Sequence, residues 1–368
     1  MNGMKLLIVG GFPDHDKRIF GGIVRSCQII EKSTIFKDWD LIKLDTTQLS
    51  NPAPSFPIRL IFAIKRFIRF IGILFLNKPN AALIFCSDGS SAIEKSLMLV
   101  FCNIFGCKTL IFPRAGNLIK QFQKNTFFSV FVRYGFKKSD LFLCQGESWK
   151  QFAIKEVGIP KERTKIIKNW TATKELLEVG KGRCFKHKSN RKEIIFIGWF
   201  EQSKGVFELL ESIEFLSRNN NIHLSMIGDG NAFKEAEDFI ERNSLEKYIS
   251  LLGWKTQEEI KNLLSKSDIF VLPSWAEGFP NSVIEGMASG NAIVTTKVGV
   301  IPDILNHNEN CLLVNPKDQD GLNNALQSLV CDDGLIKKLA ENAISFASSN
   351  FSEHKSLTHL RSSIEEII

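Results

Sequence analysis

Twelve short apolar runs alternate with longer helical patterns, and this alternation constrains the fold more than any other feature. In the first half the runs are Lys5–Val9, Asp40–Leu44, Ala82–Cys86, Thr109–Phe112, Asp140–Cys144 and Lys165–Ile167. In the second half they are Glu193–Gly198, His223–Ile227, Ile249–Leu252, Ile269–Leu272, Ala292–Thr296 and Leu312–Val314. Many are continuously apolar, as strands covered on both faces are. Strands alternating with helices predict parallel sheets in an α/β protein.

A length of 368 residues suits two domains. Glu178 to Arg191 is rich in Lys, Gly, Arg and Ser and poor in apolar residues, so it is expected to be the linker. The expectation is two doubly wound, Rossmann-like domains, 1–177 and 192–351, facing each other across a cleft. Ligands of such sheets bind outside the carboxyl ends of the strands, so the cleft is the expected site. With 44% hydrophobic and 24% charged residues, the composition excludes disorder, collagen and coiled coil as the main state.

The net charge of +7 hides an asymmetry. Residues 1–189 carry 31 Lys+Arg and 14 Asp+Glu, a net of +17, and residues 190–368 carry 16 and 26, a net of −10. A basic half invites a nucleic-acid or membrane partner. No RNA- or DNA-binding motif accompanies it, so a nucleic-acid-binding protein is the lesser reading. Ile58 to Leu76 is apolar apart from Arg59, Lys65, Arg66 and Arg69. On a helix these four fall within an arc of about 120°, a basic stripe suited to an anionic membrane surface. A domain helix with a solvated basic face is the alternative.

The eight cysteines form no Cys-x-x-Cys pair and sit mostly in apolar runs. Buried reduced thiols and a cytoplasmic location are expected. The first apolar run is too short for a signal peptide, and no run of uncharged residues is long enough to cross a bilayer. The histidines lack zinc-ligand spacing. Asp14-His15-Asp16 is a weak metal candidate in a polar turn. No Gly-x-Gly-x-x-Gly follows the first strand, and neither a P-loop nor a Gly-x-Ser-x-Gly elbow occurs.

The stretch Ser267 to Gly290 carries the most chemistry. A buried strand ends near Pro273, a loop holds Glu277 and Gly278, and a helix is expected to start with Asn281 or Ser282 as its cap. Its amides and positive dipole end suit a phosphate. Glu277 on the loop and Glu285 about one turn into the helix flank that anion site, where they would accept hydroxyl hydrogen bonds from a sugar or ribose. Alternatively, Glu277 is a solvated loop residue and Glu285 a dipole partner. Lys204, in the loop after the run that ends at Gly198, would neutralise a diphosphate. Gly198 at the end of that run and Gly228 and Gly230 after another strand are donor-binding candidates, since glycines allow close ligand approach. In the first half, Gly10-Gly11 and Gly21-Gly22 follow the first strand, and Arg114 stands at a later strand end where it would meet an anion.

Taken in order, these segments resemble the family-4 retaining glycosyltransferases of the GT-B fold, the group 1 glycosyltransferases of bacterial surface polysaccharide synthesis. The likeness is strongest over residues 193–316. Its specific part is Glu277-Gly278-Phe279-Pro280 with Glu285 eight positions on. Lys204-Gly205, Gly228-Asp229-Gly230, Gly253-Trp254 and Ile301-Pro302-Asp303 fall in family order. The resemblance implies a nucleotide-sugar donor, UDP- or GDP-linked, held mainly by the second domain. Glu277 would contact the transferred sugar, Glu285 the ribose and Lys204 the diphosphate, helped by Gly22 and the amides of Gly278–Asn281. It implies a metal-independent hexosyltransferase without cofactor, and a last segment, 352–368, that crosses back onto the first domain. The acceptor would be a glycan, lipid-linked, as in O-antigen, lipopolysaccharide or capsule synthesis. The enzyme would lie peripherally on the inner face of the cytoplasmic membrane. The chain departs from the family in carrying Trp199 where an Arg is frequent and Pro113-Arg114 where many members have a His. A sugar-nucleotide epimerase of the same fold is the rival enzyme reading.

Overall fold

The computed structural model describes residues 3–13, 21–47, 54–124, 126–183 and 191–368. Asp14-His15-Asp16 and Cys184 lie outside the described residues. The chain divides into two compact units, Met1–Trp170 with His354–Ile368, and Thr171–Glu353.

The first unit holds β1 (Lys5–Gly10), α1 (Gly22–Lys32), β2 (Asp40–Asp45), α2 (Phe56–Asn77), β3 (Ala81–Cys86), α3 (Ser90–Ile104) and β4 (Lys108–Pro113). It continues with α4 (Asn117–Lys124), α5 (Thr126–Phe136), β5 (Leu141–Cys144), α6 (Glu147–Phe152) and β6 (Thr164–Ile166). The six strands are parallel, in the order β2-β1-β3-β4-β5-β6. The chain steps from β1 outward to β2, then crosses back and runs from β3 to β6. Right-handed crossovers therefore place α1 on one face and α2, α3 and α5 on the other.

The second unit contains α7 (Lys174–Lys181), β7 (Lys192–Ile197), α8 (Val206–Ser217), β8 (Ile222–Ile227), α9 (Phe233–Arg242), β9 (Ile249–Leu251) and α10 (Gln257–Lys266). It goes on with β10 (Ile269–Leu272), α11 (Asn281–Ala288), β11 (Ala292–Thr296), α12 (Ile301–Ile304), β12 (Leu312–Val314), α13 (Gln319–Cys331) and α14 (Asp333–Asn350). Its strands are also parallel, in the order β12-β11-β10-β7-β8-β9. All twelve apolar runs form strands, with ends shifted by a residue or so. Asp140 stands just before β5, where its amide donates to the Thr109 carbonyl at 3.0 Å and its carboxylate accepts the Thr109 amide at 2.8 Å.

The last helix, α15 (Glu353–Glu365), packs on the α1 face of the first sheet. Leu357, Leu360 and Ile364 join Leu6, Ile8, Ile30, Leu83 and Trp170 in one buried cluster. Arg361 fixes the helix by forking onto Asp38 at 2.6 and 2.8 Å, with its guanidinium 5.0 Å from the Trp39 ring centre. That paired charge holds the Asp38 carboxyl below its ordinary range.

The division falls at Trp170/Thr171 rather than after 177, and the stretch expected to be linker begins as packed structure. Leu176 and Gly180 of α7 are buried. A Cβ on Gly180 would stand 2.2 Å from the Ala288 carbonyl, so α7 lies close on α11. Arg183 donates to the carbonyls of Ser289 (2.8 Å), Leu264 and Ser267. One cation thus satisfies carbonyls at the carboxyl ends of α10 and α11. Lys- and Gly-rich composition masked this role. Arg183→Ala should lower the unfolding free energy by about 3 kcal/mol, since buried carbonyls lose a charged donor. Arg183→Lys should recover only part, lacking the planar fork. Urea midpoints of the three proteins check this, and equal midpoints for Arg183→Ala and wild type would refute it.

Candidate functional site

In the second unit the loops after β7, β10 and β11 meet at the carboxyl edge of the sheet. These strands are neighbours, so their loops are too. The loop after β10 is stitched to both sides: Trp275 donates its amide to the Ser203 carbonyl at 2.8 Å, and Val300 donates to Gly278 at 3.1 Å. Two glycines make this closeness feasible. Gly205 has φ +69°, and a Cβ there would stand 2.2 Å from the Pro273 carbonyl. Gly299 has φ +57°, and a Cβ there would stand 2.1 Å from the Glu277 carbonyl. Both are left-handed positions that favour glycine.

This clasp brings Lys204 and Glu277 together. The Lys204 Nζ donates to Glu277 Oε1 at 2.7 Å, and the Ser274 hydroxyl donates to the same oxygen at 2.8 Å. Both side chains are partly buried, at 20% and 12% exposure, which limits screening of the pair. Glu277 takes one of the three N–H donors of Lys204. Below the pair, the Trp275 indole donates to Glu208 of α8 at 2.8 Å, and Lys317 lies 4.0 Å from its ring centre. Ser274 and Trp275 escaped the sequence reading, although they share the loop of Glu277.

The helix α11 starts at the same edge. Pro280 occupies the cap position and no side chain caps the helix, so Asn281 is the first helical residue rather than a cap. The expected Asn281 or Ser282 cap is thereby corrected. Proline supplies no side-chain acceptor, so the cap residue itself satisfies none of the first-turn amides. Asn281 and Glu285 are buried within α11, and the Asn281 carbonyl accepts the Thr171 hydroxyl at 3.4 Å. Gly286 lets the helix press on β10, with a Cβ position 2.8 Å from the Phe270 ring. The Phe279 side chain is buried and stacks on Phe351, ring centres 5.1 Å apart. It serves packing, so any ligand role of Phe279 falls to its backbone.

The other glycines answer to backbone packing as well. Gly228 has φ +140°, and a Cβ there would lie 1.8 Å from the Gly198 carbonyl. At Gly230 it would lie 2.5 Å from the Phe200 carbonyl. Phe200 and Asp229 are hydrogen-bonded at 3.0 Å through their backbones. Trp199 and Trp254 meet edge to face at 4.9 Å where the β7 and β9 loops emerge.

Arg114 and Gly22 lie in the first unit, at the carboxyl edge of its own sheet. Arg114 follows β4, its guanidinium 4.9 Å from the Phe112 ring centre and 5.6 Å from that of Trp170. It donates to the Ser26 hydroxyl at 3.4 Å, and Ser26 donates to the Gly22 carbonyl at 2.9 Å. Burial pushes the Arg114 guanidinium down to about 10, which leaves it charged at neutral pH. Gly10 and Gly11 pack α1 closely, with Cβ positions 2.4 Å from Cys27 Sγ and 2.7 Å from Val24 Cγ2.

The basic stripe is only partly a surface. Arg59, Lys65 and Arg69 are exposed. Arg66 instead pairs with Glu94 of α3 at 2.6 Å, and Glu94 also holds the buried Lys95 at 2.6 Å. The two cations hold the Glu94 carboxyl below its ordinary range against the opposing effect of burial. A helical wheel drawn for α2 alone cannot register a carboxylate on its neighbour. Among the described cysteines, six are buried and Cys331 is exposed.

Comparison with known proteins places this geometry. Residues 183–346 match the family described as glycosyl transferases group 1. An uncharacterised glycosyltransferase of Methanocaldococcus jannaschii is 33% identical over 173 residues, 47% of this chain and 48% of that protein. The UDP-Gal:alpha-D-GlcNAc-diphosphoundecaprenol alpha-1,3-galactosyltransferase of Escherichia coli is 25% identical over 209 residues, 54% of this chain and 53% of that protein. The matched region thus spans about half the length of these two relatives. An Anabaena protein crystallised with UDP-glucose superposes with a TM-score of 0.73 at 15% identity, covering 99% of this chain and 100% of that one. Lys204, Glu277 and Glu285 all lie within the residues that match the group 1 glycosyl transferases, and the chain has the GT-B fold.

Proposed function

We propose that this chain is a retaining glycosyltransferase that moves a sugar from a UDP- or GDP-sugar to a glycan acceptor carried on a lipid, in bacterial surface polysaccharide synthesis. One observation carries the reading: the 2.7 Å pair of Lys204 and Glu277 at the same sheet edge as the start of α11. A departing diphosphate needs cations and amide donors, and the first turn of α11 and Lys204 provide both kinds. The transferred sugar needs a carboxylate near its developing positive charge, and Glu277 is held in place by Ser274 and Lys204. Glu285 binds the donor ribose. Arg114, a permanent cation at the edge of the first sheet, serves the acceptor side. No role is assigned to a metal or cofactor. Peripheral docking on the inner face of the cytoplasmic membrane uses the exposed Arg59, Lys65 and Arg69. Among the described residues no helix is long and apolar enough to cross a membrane.

A thermal-shift screen of UDP-, GDP-, ADP- and dTDP-sugars tests the donor. A ligand that binds the native state raises Tm, by roughly 2.7 kcal/mol of added stability at a hundred times its Kd. At least one UDP- or GDP-sugar should raise Tm in wild type and fail to do so in Lys204→Ala. No shift with any of the four would defeat the reading. Release of an altered nucleotide-sugar without acceptor would favour an epimerase.

A further inference from the structure

We infer that Trp275 is a positioning residue: its indole N–H, held on Glu208 with Lys317 over the ring, fixes the spacing at which Lys204 meets Glu277. The inference deepens the proposed function and rests on that reading for its purpose, though not for its test. Lys204 ends a single turn of 3-10 helix, Gln202–Lys204, between β7 and α8. A lysine stem is long and flexible, so its ammonium goes where the local backbone and its partner direct it. Lys204 and Glu277 belong to different loops. Their 2.7 Å pair therefore requires the two loops to keep a fixed spacing.

Trp275 sets that spacing from both sides of Lys204. Its backbone amide donates to the carbonyl of Ser203, the residue before Lys204, at 2.8 Å. Its indole donates at 2.8 Å to Glu208 Oε1, which lies beyond Lys204 in the first turn of α8. A residue on the Glu277 loop thus brackets Lys204. The indole is a rigid spacer with one donor and no acceptor, and a donor bonded to a carboxylate makes a strong, directional contact. Other contacts keep the bracket in shape. Gln319 donates to the Glu208 carbonyl at 3.0 Å and to the Ser212 hydroxyl at 2.8 Å, which ties the start of α13 to α8. Lys317 stands 4.0 Å from the Trp275 ring centre, within range of a cation–π attraction that pins the ring. On the Glu277 side, the Thr296 hydroxyl of β11 donates to the carbonyl of Ser274, whose own hydroxyl meets Glu277. A tryptophan that only filled space would need neither the carboxylate nor the cation. Glu208 alone would be a favourable first-turn charge on α8. Their convergence on one indole, beside the Lys204–Glu277 pair, assigns the role.

The test is lysine acetylation by acetic anhydride, read residue by residue by mass spectrometry, in wild type, Trp275→Phe, Glu208→Gln and Glu208→Leu. The reagent attacks a neutral amine, so a lysine held on a carboxylate reacts slowly. Trp275→Phe keeps an aromatic ring without a donor, Glu208→Gln keeps an acceptor oxygen, and Glu208→Leu has none. Lys204 should react at least about fivefold faster in Trp275→Phe and Glu208→Leu than in wild type, the factor that accompanies loss of one ion-pair contact. Glu208→Gln should restore most of the protection. Lys192, buried at the start of β7, reports general loosening and should keep its wild-type rate. In sugar transfer, kcat should fall by about tenfold or more in Trp275→Phe and Glu208→Leu and recover in Glu208→Gln, because a small misplacement at the reacting centre is costly. Wild-type Lys204 rates in Trp275→Phe and Glu208→Leu overturn the inference. So does equal acceleration of Lys192, or equal Lys204 rates in the two Glu208 variants. The labelling needs no substrate, which separates the two ideas. Release of Lys204 in the variants of a protein that transfers no sugar removes the proposed function and leaves the positioning role standing. Transfer by wild type with Lys204 unmoved in the variants removes the positioning role alone.

Discussion

Glu277→Ala and Lys204→Ala should each reduce sugar transfer by about a thousandfold or more, the scale seen when one preorganised group that stabilises transition-state charge is removed. The two should fail differently. Lys204→Ala removes the side-chain cation proposed for the diphosphate, so donor affinity and turnover both fall. Glu277→Ala leaves that cation, so the nucleoside diphosphate alone should still bind while transfer is lost. Glu277→Gln keeps the side-chain shape and the Ser274 contact but not the charge, and should resemble Glu277→Ala in turnover. The double variant should be little worse than the poorer single one, because groups that act as a unit lose their effects together. Structural damage is separable from such losses. The pair is mostly buried, so removing one partner costs up to about 3 kcal/mol, which melting curves report independently of transfer. Initial rates, nucleoside diphosphate titration and melting curves on the four proteins decide the matter. Full transfer by either alanine variant would remove these residues from the reaction.

Gly228→Ala should be among the most destabilising small substitutions in the second unit. The added methyl would lie 1.8 Å from a backbone carbonyl at φ +140°, where neither rotation nor a flexible neighbour relieves it. The loops after β7 and β8 must then separate. Losses of more than about 3 kcal/mol are expected from strain of this kind. Gly205→Ala meets the Pro273 carbonyl at 2.2 Å, and the displacement that relieves this contact acts on the residue next to Lys204. Gly205→Ala should therefore lose transfer beyond its loss of stability. Gly253 offers the control, since it has φ +63° but nothing within 4 Å of a Cβ. Gly253→Ala should cost only the backbone strain, about 1 kcal/mol. Equal unfolding midpoints for Gly228→Ala and Gly253→Ala would contradict the close approach.

The strands were legible because parallel strands buried on both faces must be continuously apolar, and few other elements require six such runs in each half. The positions of Lys204 and Glu277 were legible because the alternation puts each of them in the connection after a strand, with Glu285 in the helix that follows Glu277. What remained hidden is tertiary. Arg183 looked like part of a basic linker, because its carbonyl partners on α10 and α11 are far away in sequence. Arg66 looked like part of a membrane stripe, because Glu94 belongs to another helix. Gly198, Gly228 and Gly230 looked like approaches to a ligand, although the first close partner of each is the chain's own packing. The exposed Phe127, Val130 and Tyr134 of α5 went unnoticed beside its buried Phe128 and Val132, since hydrophobicity alone does not tell a core face from an exposed one.

The most direct measurement is calorimetric titration of wild type and Lys204→Ala with the nucleotide-sugar that gives the largest thermal shift. The account predicts saturable binding to wild type and a loss of at least about tenfold, or 1.4 kcal/mol, in Lys204→Ala. Equal affinity in the two proteins would contradict it.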